Sequence, residues 1–196
     1  MRYPAGHKQE KRKELLSVSA LIKANGFAAT GIDTLTQGAG VTSGSFYSHF
    51  GSKTELLKAL IDNELQISRD MWAGNPHDTA EEWVNFELDR YLSLGHVNHP
   101  ESGCVIPALG AEIARADASV KALYAQELHK GVVILAKRLG SESLAWAFIC
   151  QLVGAMVLAR AMPTAKEKKA IIEASKQFLQ RALQVQSTHG HTHPPP

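Results

Sequence analysis

The chain has 196 residues, 44% of them hydrophobic and 20% charged, with two cysteines and a formal net charge of +2. That length and apolar content support a sizeable core, in one domain or in a small domain fused to a larger one. Two cysteines without paired spacing, and an opening that lacks a basic-then-apolar signal segment, exclude a disulfide scaffold and lead us to expect a cytoplasmic protein. The small total charge says nothing of nucleic acid, but its distribution does. Residues 1–58 hold eight Lys/Arg against four Asp/Glu, a balance of +4, and the remainder holds 13 against 15, a balance of −2. Basic charge gathered at one end suits phosphate neutralisation.

The first 13 residues include Arg2, Lys8, Lys11, Arg12 and Lys13, a run that reads as an arm reaching a neighbouring groove or as a frayed basic terminus. It merges into an amphipathic helix carrying Leu15, Leu16, Val18, Leu21 and Ile22, which Asn25 and Gly26 stop, and Phe27 then closes over a three-helix core. From Gly31 to Lys53 the pattern is that of a helix-turn-helix. Ile32 and Leu35 give a short helix one apolar face, and Gly38, Ala39 and Gly40 interrupt it. Thr42 caps the next helix, whose buried side is Phe46 and Phe50 at i, i+4. Its other side offers Thr42, Ser43, Gly44, Ser45, Tyr47, Ser48 and His49, short or hydrogen-bonding groups suited to phosphates and base edges. Lys53 follows beside an S-x-x-E capping box of Ser52 and Glu55, a corner that suits a phosphate.

A fourth helix from Ser52 to about Trp72 carries a wide apolar stripe and is the expected lever between two domains. Gly74, Asn75 and Pro76 end it, and Thr79 and Glu82 make a capping box for a fifth helix with Trp83, Phe86, Leu88, Tyr91 and Leu92. A polar loop from His96 to Gly103 precedes a short sixth helix, about Val105 to Ala114, with Pro107 in its first turn. Asp117 opens a seventh helix to Arg138. The eighth, Leu144 to Ala161, is apolar enough to resemble a membrane span, but Gln151 and Arg160 mark it as a packing helix and no membrane role is expected. Pro163, Thr164 and Glu167 introduce the ninth. The expected fold is therefore all-α, about nine helices without strands, ending in a His/Pro-rich tail over 187–196 that cannot bury enough to stay ordered.

The stretch AGVTSGSFYSHFGSKTELL, with Phe27, Thr30 and Ile32 before it, resembles the DNA-binding domain of the TetR/AcrR family of bacterial transcriptional regulators. Val41, Phe46, Tyr47 and Lys53 carry the likeness, which covers about the first third of the chain. It implies a DNA-reading domain over 1–52 and a helical effector-binding and dimerisation domain over 53–186. DNA contacts would come from Thr30, Thr42, Ser43, Gly44, Ser45, Tyr47, His49 and Lys53. The partners implied are an inverted-repeat operator, a small-molecule effector and a second copy joined through the last two helices, with repression relieved by the effector.

Trp83, Phe86, Tyr91, Tyr124 and Trp146 either line the effector cavity or are plain core. The segment from Ser102 to Asp117 resembles a branch of the family in which a Gly-Cys pair opens the sixth helix, so Cys104 is either a reactive sensor thiol or a packed small hydrophobe. A thiol sensor should be modified before Cys150. A metal site from His96, His99 and Cys104 lacks a fourth ligand, and neither a metal nor another cofactor is expected. The chain has no G-x-S-x-G, no H-E-x-x-H and no P-loop, which argues against an enzyme. A helical protein-binding adaptor is the rival reading, and a steep salt dependence of DNA binding separates the two.

Overall fold

A computed structural model of the chain describes residues 16–189, with side chains through 183. The basic run of the first 13 residues and the tail beyond 189 lie outside the described residues. Among the described residues there are ten α-helices: α1 Ser19–Asn25, α2 Ile32–Gly38, α3 Ser43–Phe50, α4 Lys53–Ala73, α5 Ala80–Tyr91, α6 Leu94–Asn98, α7 Val105–Arg115, α8 Ala118–Leu139, α9 Glu142–Ala161 and α10 Ala165–His189. A 3₁₀ turn, Pro100–Ser102, stands between α6 and α7. The described residues contain no strand. Nine of these helices are the expected ones, and α10 carries the backbone three residues into the stretch expected to be a tail.

The additional helix is α6, where a polar loop was expected. Five residues are too few to show a helical period, so its formation rests on tertiary partners. Ser93 Oγ accepts the His96 N–H at 3.2 Å, and Val97 is buried. Arg160 of α9 donates to the His96 carbonyl at 3.1 Å, and Lys168 of α10 to Asn98 at 3.0 Å.

The chain divides into two compact units. The first comprises residues up to Ser68 together with His99–His129, and the second comprises Arg69–Asn98 with Lys130 onward. The core of the first is built on Ile22, Leu35, Phe46, Leu56, Leu60 and Leu109, each fully buried. A buried ion pair crosses it: Lys23 Nζ of α1 lies 2.9 Å from Glu64 Oε2 of α4 and donates to the Gly103 carbonyl at 2.9 Å. Two charges taken from water in this way hold only because each finds a partner.

The second unit is organised on α9 and α10, which pack along one another. Phe148, Leu152, Met156 and Ala159 of α9 and Ile172 and Leu179 of α10 are buried, and Gln151 donates to Ser175 between the two helices at 3.1 Å. Side-chain caps start these elements as the sequence suggests: Ser141 accepts from Leu144, and Thr164 and Glu167 form a capping box. Among the described helices, α9 is the one long and apolar enough to cross a membrane.

Candidate nucleic-acid interface

Helix α3 is short, and its placement depends on both ends. Gly40 takes a positive φ of 65°, which frees the Val41 N–H to reach back to the Thr36 carbonyl at 2.9 Å and turns the chain out of α2. Thr42 then caps α3, its hydroxyl accepting the Ser45 N–H at 3.2 Å. Phe46 and Phe50 fix the inner face, both buried, with ring centroids 6.0 Å apart.

The outer face presents Thr42, Ser43, Gly44 and Tyr47, all exposed, with Ser45 half-buried beside them. Tyr47 is 53% exposed, and its ring stands edge-on to Phe46 at 5.3 Å. A buried ring therefore braces an aromatic whose polar end faces outward, an arrangement suited to contacting a base or phosphate at low entropic cost. A Cβ added at Gly44 would find its nearest neighbour at 3.9 Å, so packing does not demand glycine there, and the bare backbone is left for close approach.

The remaining candidates are engaged elsewhere. Thr30 is buried and its hydroxyl donates to the Gly26 carbonyl at 2.6 Å, closing the α1–α2 turn. His49 Nδ1 lies 2.8 Å from the Ser45 carbonyl, which can only accept, so the ring proton sits on Nδ1. Its Nε2 is buried without a partner, and the ring borders a groove of about 440 Å³ together with Phe50, Glu55, Lys58, Asp62 and Glu127.

Lys53 donates to the Phe27 carbonyl at 2.6 Å, with its ammonium 4.5 Å from the centre of the Phe27 ring. Burial pushes its pKa below the ordinary lysine value, with the Glu112 carboxylate acting in the opposite sense. Lys58 is paired with Glu55 at 2.8 Å. The three described cations of the reading head, Lys23, Lys53 and Lys58, thus all have partners within the protein. Phe27 beneath Lys53 and Glu64 beside Lys23 are contributors that the sequence pattern does not mark as such.

The aromatic candidates for an effector site each have local partners or burial of their own. Trp83 is fully buried, Phe86 is 37% exposed against His77, and Tyr91 stands edge-on to His96 at 4.5 Å. Trp146 donates to Glu142 of its own helix at 3.3 Å. These belong to the second unit and Tyr124 to the first, and none of the five borders the 440 Å³ groove. Cys104 occupies the cap position of α7, half-buried, whereas Cys150 is exposed. Exposure alone therefore runs against Cys104 being modified first. Among the described residues no three His, Cys, Asp or Glu side chains converge as a metal site would require.

Residues 19–60 match the family model described as bacterial regulatory proteins, tetR family. The chain is 41% identical over 58 residues to the HTH-type transcriptional repressor KstR2 of Mycobacterium tuberculosis, a match that spans 29% of this chain and 29% of that repressor. The whole fold resembles a TetR-family transcriptional regulator from Cytophaga hutchinsonii, with a TM-score of 0.77 at 16% identity over 93% of this chain and 98% of that one. It also resembles the regulator FadR of Bacillus subtilis, solved in complex with stearoyl-CoA, with a TM-score of 0.62 at 16% identity over 87% and 96% of the two chains. Residues 19–60 are thus similar to the tetR-type DNA-binding domain, and the chain shares its all-helical fold with these regulators.

Proposed function

We propose that the chain is a repressor that binds an inverted-repeat operator as a homodimer, each copy laying α3 in a major groove, and that a small-molecule effector releases it. The observation that carries this reading is the outer face of α3: exposed Thr42, Ser43, Gly44 and braced Tyr47, backed by buried Phe46 and Phe50. Similarity to KstR2 supports repression. FadR, solved with stearoyl-CoA, supports a small-molecule effector for this fold without naming one for this chain. The functional boundary falls at 52/53, with residues 53–186 receiving the effector and forming the dimer, and the protein acts in the cytoplasm. Lys53 contributes to phosphate neutralisation beside α3, and Lys8, Lys11, Arg12 and Lys13 of the basic run add to it.

The test selects duplexes from a random-sequence library with the purified protein and titrates the winner over a salt series. Affinity should fall steeply with salt. Replacing Lys8, Lys11, Arg12 and Lys13 by Ala should flatten the log–log slope by about three to four, roughly 0.9 for each phosphate no longer neutralised. Tyr47→Ala should cost about tenfold on the selected sequence and less on unrelated DNA. A salt-insensitive interaction, or failure to retain any duplex, supports the adaptor reading instead.

A further inference from the structure

The α1–α2 turn is held from a distance of more than eighty residues. Glu112 of α7 accepts the Phe27 N–H at 2.9 Å and the Ala28 N–H at 2.6 Å, one through each carboxylate oxygen. Gly26 precedes them with a φ of 87°, and a Cβ there would stand 2.9 Å from Glu112 Oε1. The turn therefore forms a backbone pocket into which the carboxylate fits because residue 26 is glycine. On the same peptide the Phe27 carbonyl accepts from Lys53, the first residue of α4, immediately after the reading helix. Glu112 also attracts Lys53 electrostatically.

We infer that Glu112 is a positioning residue for DNA reading. By fixing the Phe27–Ala28 turn it fixes the carbonyl and ring that anchor Lys53, and so the angle at which α3 passes into α4. Two charge-assisted bonds to backbone N–H groups orient a turn far more tightly than a solvated loop could. The sequence of α7 itself gives no reason for a glutamate at this place, since alanine is the better helix former. The role rests on the DNA-binding reading given above.

The experiment uses the full chain with Glu112→Gln and Glu112→Ala. Glutamine offers one acceptor oxygen in place of two, and alanine offers none, so the two variants should rank in that order while α7 keeps its helix. Amide hydrogen exchange at Phe27 and Ala28 should quicken at least tenfold in Glu112→Ala, and less in Glu112→Gln. Exchange in the buried Leu60–Ile61 segment should stay at the parent rate. Affinity for the duplex selected by the parent should fall about tenfold in Glu112→Ala, the scale of one hydrogen bond to a charged group.

Unchanged exchange at Phe27 and Ala28 overturns the inference, as does quickened exchange with unchanged affinity. Exchange quickened equally at Leu60–Ile61 also overturns it, because the residue is then merely structural. A parent that retains no duplex refutes the DNA-binding reading and this role with it. Variants that bind like a duplex-retaining parent refute the positioning role alone.

Discussion

Glu87 is an acidic side chain that the fold has almost entirely removed from water, with 1% of its surface exposed. Asn75 donates to one of its oxygens at 2.8 Å and Arg90 to the other. Burial raises its pKa above the ordinary 4.5, and the Arg90 charge and the two hydrogen bonds offset only part of that rise. Between 4.5 and the raised value the folded chain holds a proton that the unfolded chain has released. Stability from this group therefore falls as pH rises through that window, and the cost of ionisation is fully present above it. Glu87→Gln removes the titration. Comparing melting curves of parent and variant from pH 7 downward, the parent should gain on the variant as pH falls towards 4.5 and gain no further below it. A parent–variant difference that does not change with pH would show that Glu87 ionises in the folded chain as it does in the unfolded one.

At the scale of elements, one glycine decides how two helices meet. A Cβ added at Gly131 in α8 would lie 2.8 Å from Cζ3 of Trp72 in the last turn of α4, closer than real contacts allow. The neighbour is a rigid indole that cannot swing away as a lysine tip would. Gly110 in α7 has nothing within 4 Å of its Cβ position. Both sit inside helices, where alanine is favoured over glycine by about 1 kcal/mol. Gly110→Ala should therefore raise the melting temperature, by about 0.5–1 kcal/mol of stability. Gly131→Ala should lower it, since overpacking costs about 1–3 kcal/mol, and should perturb tryptophan fluorescence. Opposite signs from the same substitution, read by denaturant titration, check the contact.

These helices also show what the sequence makes legible. The Thr42 cap, the Phe46–Phe50 pair and the Thr79–Glu82 and Thr164–Glu167 boxes are local devices, with partners three or four residues away, and they stand where the pattern puts them. A partner far off in the chain is not legible in this way. Lys53 reads as an open cation beside a helix start, yet its acceptor is Phe27, 26 residues back. Thr30 and His49 turn back to the Gly26 and Ser45 carbonyls, four residues earlier, and nothing in the residue pattern marks a polar side chain as bonded to its own turn or helix. Glu112 is indistinguishable from any solvated helix glutamate until α7 is placed against the α1–α2 turn. Local periodicity fixes where a helix runs, but a polar side chain's role depends on the neighbour that folding brings to it.

At the scale of the whole molecule, α9 and α10 carry an apolar side that is exposed among the described residues. Val157, Leu158 and Phe178 are 48%, 57% and 59% exposed, and Ala147, Cys150, Ala161 and Ala174 are exposed with them. On α9 the positions 147, 150, 157, 158 and 161 fall within about 100° of one another around the axis, one side of a helix. An exposed apolar face of this kind suits a partner, and in the proposed dimer a second copy across a two-fold axis would present the same face in return. Phe178→Glu should then separate the copies. Each substitution counts twice in a two-fold interface, and a buried Phe is worth about 2–3 kcal/mol. The dimer constant should therefore weaken by about three to four powers of ten. Sedimentation would show a helical monomer, and binding to the inverted repeat should fall because the two reading heads are no longer linked. Cys150 provides a second readout. In the proposed dimer its thiol would be covered and should react slowly with a thiol reagent, whereas in Phe178→Glu it should react at the rate of an exposed cysteine. Rapid labelling of Cys150 in a parent that sediments as a dimer would place the contact on another face.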